Sequence, residues 1–213
     1  KVGISHVSEE QAKKNLLTEI AHWDFQKTKN QADSIWNQEL GKIQAEIPDT
    51  NERIKFYTSL YQSMLAPTLM SDVDGTYRGF DDKIKSSKYN IYSTFSLWDT
   101  FRAAHPLYTL IQEERVNEMI RSMMIQYEET GVLPVWPLIN NETNCMIGIH
   151  SIPVILDAVN KGLTDIETDE LFAAADQSLN QDKPELIYYK NTGFIPEKIH
   201  NSVSKQLEYC YND

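Results

Sequence analysis

Apolar residues recur three and four positions apart along most of this chain, and two long polar segments interrupt them. That spacing lines one face of an α-helix; a half-buried strand would alternate at every second residue. Ser8 and Gln11 stand at capping-box spacing ahead of Ala12, Leu16 and Ile20, which predicts a first helix. A second is expected from Gln31 to Ala45, closed by Pro48. Phe56, Leu60 and Met64 form one stripe and Tyr57, Tyr61 and Leu65 the next, a broad face suited to more than one neighbour. Leu97, Phe101, Ala104, Tyr108 and Ile111 predict one continuous helix. Val116, Ile120, Met123 and Tyr127 predict another, stopped by Gly131 as a C-cap. Ile152, Ile155 and Val159 mark a helix before Gly162, and Thr164 and Glu167 repeat the capping-box spacing ahead of residues 171–179. Val203, Leu207 and Cys210 mark a last helix, still in register at Asp213.

The two interruptions, residues 68–90 and 132–148, exceed what joining neighbouring helices requires, and long ordered loops in compact domains are often functional. With almost no strand signal, the fold class reads as all-α. Alternating short and long connections fit a ring of paired helices with loops gathered at one end better than a plain bundle.

The formal net charge of -11 argues against nucleic acid and anionic membranes, which need clustered Lys and Arg. No apolar run is long enough to insert into a membrane, and no signal peptide opens the chain. Two cysteines, Cys145 and Cys210, make no disulfide framework. There is no glycine-rich phosphate loop, no paired-cysteine zinc spacing and no Gly-x-Ser-x-Gly elbow. What is left is hydrolase-like or binding chemistry without a nucleotide.

Three stretches hold candidate chemistry. In "TFSLWDTFRAAHP", Trp98 and Asp99 precede Arg102. On a continuous helix Asp99 points away from the Leu97–Phe101–Tyr108 stripe, where it either caps or pairs with Arg102, or faces a cavity covered by other helices. In "SDVDGTYRG", Asp72, Asp74 and Gly75 suggest an Asx-rich turn, since the further ligands and terminal Glu of an EF-hand are missing. Arg78 is a candidate clamp for a carboxylate or substrate. In "PLINNETNCMIGIH", Asn140, Asn141, Glu142, Thr143 and Asn144 either grip hydroxyls near a cavity or cap and solvate a helix start. Trp98 and Trp136 are either sugar-stacking platforms or core residues.

Taken together and in order, "FYTSLYQSMLAPTLMSDVDGTYRG", "YSTFSLWDTFRAAHPLYTLI", "ERVNEMIRSM", "LPVWPLINNETNCMIG" and "SVSKQLEYCYND" resemble glycoside hydrolase family 92. The resemblance implies an inverting, calcium-dependent exo-α-mannosidase that removes terminal α-linked mannose from glycans, with α-1,2 linkages as the expected type. It implies an N-terminal β-sandwich followed by an (α/α)6 catalytic domain. Residues 1–7 are then the end of the sandwich, 8–48 linker helices, and 49–213 the first part of the toroid. Inversion needs two carboxyl groups about 6.5 to 9.5 Å apart. The family's acid lies in a Glu-Gly-Asn segment and its base in a Gly-Asn-Asp-Asp segment. Neither occurs here, so no catalytic residue is assigned, and both are expected beyond Asp213 in the same enzyme. Trp98 and Asp99 match the family's Trp-Asp motif at the mannose subsite, and Arg102, Asn141 and Glu142 match positions around it. No calcium ligand is assigned. The resemblance also implies a secreted, periplasmic or cell-surface bacterial protein. The alternative from another class is a non-catalytic helical carbohydrate-binding or scaffold module.

Overall fold

The first three helices begin where a short polar side chain accepts a free backbone amide. In the computed structural model, which describes residues 1–213, α1 (Glu9–Glu19) is capped by Ser8, whose hydroxyl accepts from Gln11 N at 3.2 Å. Asp24 accepts from Lys27 N and opens α2 (Phe25–Leu40), and Asp49 accepts from Glu52 N and opens α3 (Thr50–Ser63). The second helix therefore starts six residues before the expected Gln31, at the cap that Asp24 provides, and ends at Leu40 before the expected Ala45. Of the broad face on α3 only Leu60 is buried, and Tyr61 and Leu65 stay exposed.

The first long loop is built from strands. It holds β1 (Thr68–Leu69), β2 (Thr76–Arg78), β3 (Ile84–Ser86) and β4 (Tyr92–Ser93). β1 pairs antiparallel with β4, and β2 with β3. The all-α expectation misses these and the later ribbon, because two- and three-residue strands carry no readable alternation.

The continuous helix expected over Leu97–Ile111 is two pieces, α4 (Leu97–Thr100) and α5 (Ala104–Ile111). Pro106 supplies the reason. It has no N–H to give the carbonyl four residues back, and its ring crowds that turn, so the helix restarts with proline in its first turn. The long α6 (Glu113–Thr130) follows and ends at Gly131, φ +80°, as expected. A short ribbon, β5 (Pro137–Leu138) with β6 (Asn141–Glu142), fills the second loop. Then come α7 (Ser151–Asn160), α8 (Thr168–Leu179), α9 (Pro184–Thr192) and α10 (Ser202–Asn212). The Thr164 capping box is not formed. Its hydroxyl donates to Asn117 Oδ1, and Glu167 itself takes the N-cap position without a capping side-chain bond. α9 was not foreseen; its polar sequence carries little period, and only Pro184 at its start and Gly193 past its end announce it.

The core is helix against helix. α5, α6, α7 and α8 pack in succession around Leu97, Ile120, Met123, Met124, Ile155 and Ala174, and Leu186 and Tyr209 join from α9 and α10. Carboxylates tie the loops on, buried at Glu129 and Asp72 and exposed at Asp74. Glu129 of α6 accepts from Tyr77 Oη, Phe80 N and Lys85 Nζ, which fastens the β2–β3 hairpin. Asp72 accepts from Ser5 Oγ and Asn15 Nδ2, and Asp74 from Gln11 Nε2 and Lys14 Nζ. Both acids of the Asx turn thus dock α1. Arg78 is not a free clamp: its Nε donates to the His6 carbonyl, and its guanidinium meets Asp82. Residues 1–7 carry no helix or strand.

Two histidines are locked inside, His105 at 6% exposure and His150 at 1%. Burial pushes each down from 6.5 to about 4, and for His150 the nearby Glu208 opposes the shift while Arg102 adds to it. Above pH 6.5 neither state binds the extra proton; between 6.5 and about 4 only the unfolded chain does. Stability is therefore expected to fall as pH drops through that window, by up to about 1.4 kcal/mol per pH unit for each histidine. Denaturant midpoints measured at about pH 7 and about pH 5 test this, and equal midpoints would refute it.

Candidate functional site

The break between α4 and α5 decides where the Trp-Asp pair points. Leu97 and Phe101 are buried in the core, which turns Asp99 and Arg102 outward. Ser96, the residue before α4, donates its hydroxyl to Asp99 Oδ2 and accepts the indole N–H of Trp136 at 2.8 Å. A Trp136–Ser96–Asp99 chain results. It fixes one carboxylate oxygen of Asp99 and leaves the exposed side chain a second oxygen with which to accept.

Trp98 and Arg102 are held from the far end of the chain. Glu208 of α10 accepts from Trp98 Nε1 and from Arg102 Nη2, both at 3.2 Å on Oε1. His150 Nε2 lies 3.0 Å from the other oxygen, although without an aligned N–H bond to it. Asn212 Oδ1 accepts from Ile149 N, so its amide group faces His150 Nδ1 at 3.2 Å. Nδ1 is thereby the acceptor, and the imidazole proton belongs on Nε2, towards Glu208. The His150 ring stacks on Phe101 at 4.0 Å and 6°, and the Arg102 guanidinium lies 4.7 Å over Phe101. Gly148 allows this approach: a Cβ there would sit 2.6 Å from His150 Nε2 and 3.0 Å from Asn212 Oδ1.

The second loop serves the same turn. Glu142 accepts four bonds: from Val135 N and Gln126 Nε2 on one oxygen, and from Trp136 N and Asn144 N on the other. Thr143 Oγ1 donates to the Trp136 carbonyl at 2.7 Å. Both oxygens of Glu142 are thus occupied by this chain, and what they fix is the backbone that carries Trp136. Asn141 is exposed at the ribbon, opposite Leu138. Of the five candidates, Trp98 and Arg102 meet at Glu208, Asp99 and Glu142 both lead to Trp136, and Asn141 shares no hydrogen bond with the others. Ser96, His150, Glu208 and Asn212 complete the arrangement. None was singled out as part of a site from the sequence, although Ser96 lies two residues before Trp98 and Glu208 in the last of the family-like segments.

No three acidic, histidine or cysteine side chains converge anywhere in the chain. A calcium cage draws on several carboxylate and carbonyl oxygens at once, so the acids here do not make one by themselves.

The sequence pattern of the glycosyl hydrolase family 92 catalytic domain matches residues 11–213. The chain belongs to this family. It superposes on the family 92 α-mannosidase BT3965 of Bacteroides thetaiotaomicron with a TM-score of 0.90 and 34% identity, covering 98% of this chain and 28% of that one. The family 92 inverting mannosidase BT2199 of the same bacterium gives 0.91 and 29%, covering 98% and 30%. An uncharacterized secreted glycosidase of the fungus Arthroderma benhamiae is 26% identical over all of this chain and 26% of its own length. The chain thus spans between a quarter and a third of the length of these relatives. No helix in it is long and apolar enough to cross a membrane.

Removing the Glu142 carboxylate leaves the amides of Val135, Trp136 and Asn144 without their acceptor. Glu142→Ala is expected to cost about 2 to 4 kcal/mol. Amide exchange should accelerate at Val135 and Trp136 ahead of the rest of the core; unchanged protection there would contradict the assignment.

Proposed function

We propose that this chain is the first part of the (α/α)6 catalytic domain of an inverting exo-α-mannosidase, and that Trp98 and Asp99 form one edge of its mannose subsite. The observation that carries the reading is the likeness to BT3965 over 98% of the chain, an α-mannosidase of the same family, together with an exposed Asp99 held by one oxygen only. Another structure of that relative contains mannoimidazole.

In this reading Trp98 offers its ring to the apolar face of the sugar, and Asp99 accepts from sugar hydroxyls. Arg102 and Asn141 border the subsite, and Glu142 contributes through Trp136. The acid that protonates the leaving oxygen and the base that activates water stand outside this chain; calcium is the expected cofactor, with no ligand assigned. The preferred substrate is a glycan ending in α-1,2-linked mannose, and the enzyme works outside the bacterial cytoplasm.

Two measurements test it. In the full-length enzyme, Asp99→Ala is expected to lower kcat/KM on an aryl α-mannoside by on the order of 10- to 100-fold with the fold intact, the scale of one lost charge-assisted hydrogen bond. Wild-type kinetics would return Asp99 to a local role beside Ser96. The isolated chain is expected to release no mannose, with or without calcium. Calcium-dependent release by the chain alone would overturn the placement of acid and base. Mannose binding without hydrolysis by the full-length protein would favour a carbohydrate-binding module instead.

A further inference from the structure

We infer that Glu208 is a positioning residue for the mannose subsite, acting through Trp98. The inference rests on the reading of Trp98 and Asp99 as a sugar edge. An indole on a sugar platform must keep its plane fixed, because stacking depends on the orientation of the ring face. The only polar atom of Trp98 is Nε1–H, which can donate and cannot accept. Its acceptor is a single carboxylate oxygen, brought from a helix 110 residues further along the chain.

Glu208 is well placed to hold that angle. Its side chain is 13% exposed, and donors approach both of its oxygens. Arg102 Nη2 shares Oε1 with the indole, and His150 Nε2 stands beside Oε2. The helix that carries Glu208 is itself anchored. Tyr209 is in the core, and Asn212 is bonded to Ile149 N and His150 Nδ1. The carboxylate therefore cannot follow a drifting indole, and the indole settles where the carboxylate stands. The Asp99 carboxylate is set separately, through Ser96 and Trp136. The turn thus has two independent clamps, one for the platform and one for the acid.

The test uses the full-length enzyme in four forms: Glu208→Gln, Trp98→Phe, the two combined, and Asp99→Ala, each with its thermal unfolding and its kcat/KM on an aryl α-mannoside. Glu208→Gln replaces the charged acceptor while conserving volume. It is expected to lower kcat/KM by on the order of 10- to 100-fold, the cost of a misplaced contact group, at little change in Tm. Trp98→Phe keeps a ring but loses the N–H, and should cost a similar factor. The combined variant should be no worse than the poorer single within about twofold, since both changes act on the same bond.

Losses that multiply would make Glu208 a general structural residue and overturn the inference. Wild-type kinetics for Glu208→Gln with an impaired Asp99→Ala would overturn it while leaving the sugar edge standing. Wild-type kinetics for Asp99→Ala would remove the sugar edge, and this inference with it. If Glu208→Gln does not fold, Glu208→Asp, which keeps the charge but shortens its reach, is judged by the same criteria.

Discussion

Inward-turned carboxylates are what allow long polar segments to sit on this helical scaffold. A loop that leaves a helix pair takes its backbone amides away from their own partners, and each buried amide must then find an acceptor. Glu129 meets that need for the β2–β3 hairpin and Glu142 for the loop that carries Trp136. Asp72 does the same work for the N-terminal segment, taking Ser5 and Asn15. Glu208, like Asp72, takes only side-chain donors, and its donors lie at the candidate site.

The net charge of -11 gains a second meaning from this arrangement. Several of the acids are structural ties inside the fold, so the excess does not simply coat the surface. Other acids form ordinary exposed ion pairs, such as Lys29–Asp33 and Lys55–Glu52, which contribute little to stability. The apolar residues show the complementary imbalance. Trp23, Phe25, Phe172, Val203 and Leu207 are all largely exposed. The proposal that the chain is one part of a larger catalytic domain would account for such open faces.

Much of the scaffold was legible because helical period and capping are local signals. Ser8, Gly131 and the stripes of α5, α6 and α7 stand where the spacing put them. The errors are local as well. Pro106 splits a stripe whose period runs straight through it, and Thr164 spends its hydroxyl on Asn117 instead of a helix amide. α9 escaped because its exposed, polar face carries little period. Of the candidate site, the sequence supplied the Trp-Asp pair and the Asn-Glu-Thr segment as neighbours in sequence, but not the links between them. Trp136–Ser96 spans 40 residues and Trp98–Glu208 spans 110.

The sequence by itself determined that the chain is mostly helical, that two polar segments interrupt its helices, and to which family it belongs. Those properties reside in spacings and motifs a few residues long. Only the tertiary structure decided which acids are ties and which stay open. Glu142 of the second loop and Asp99 of α4 are both acids near Trp136, yet one accepts from four donors and the other from one. The difference comes from which backbone amides the fold places within hydrogen-bond reach, and that is set by helices far apart along the chain.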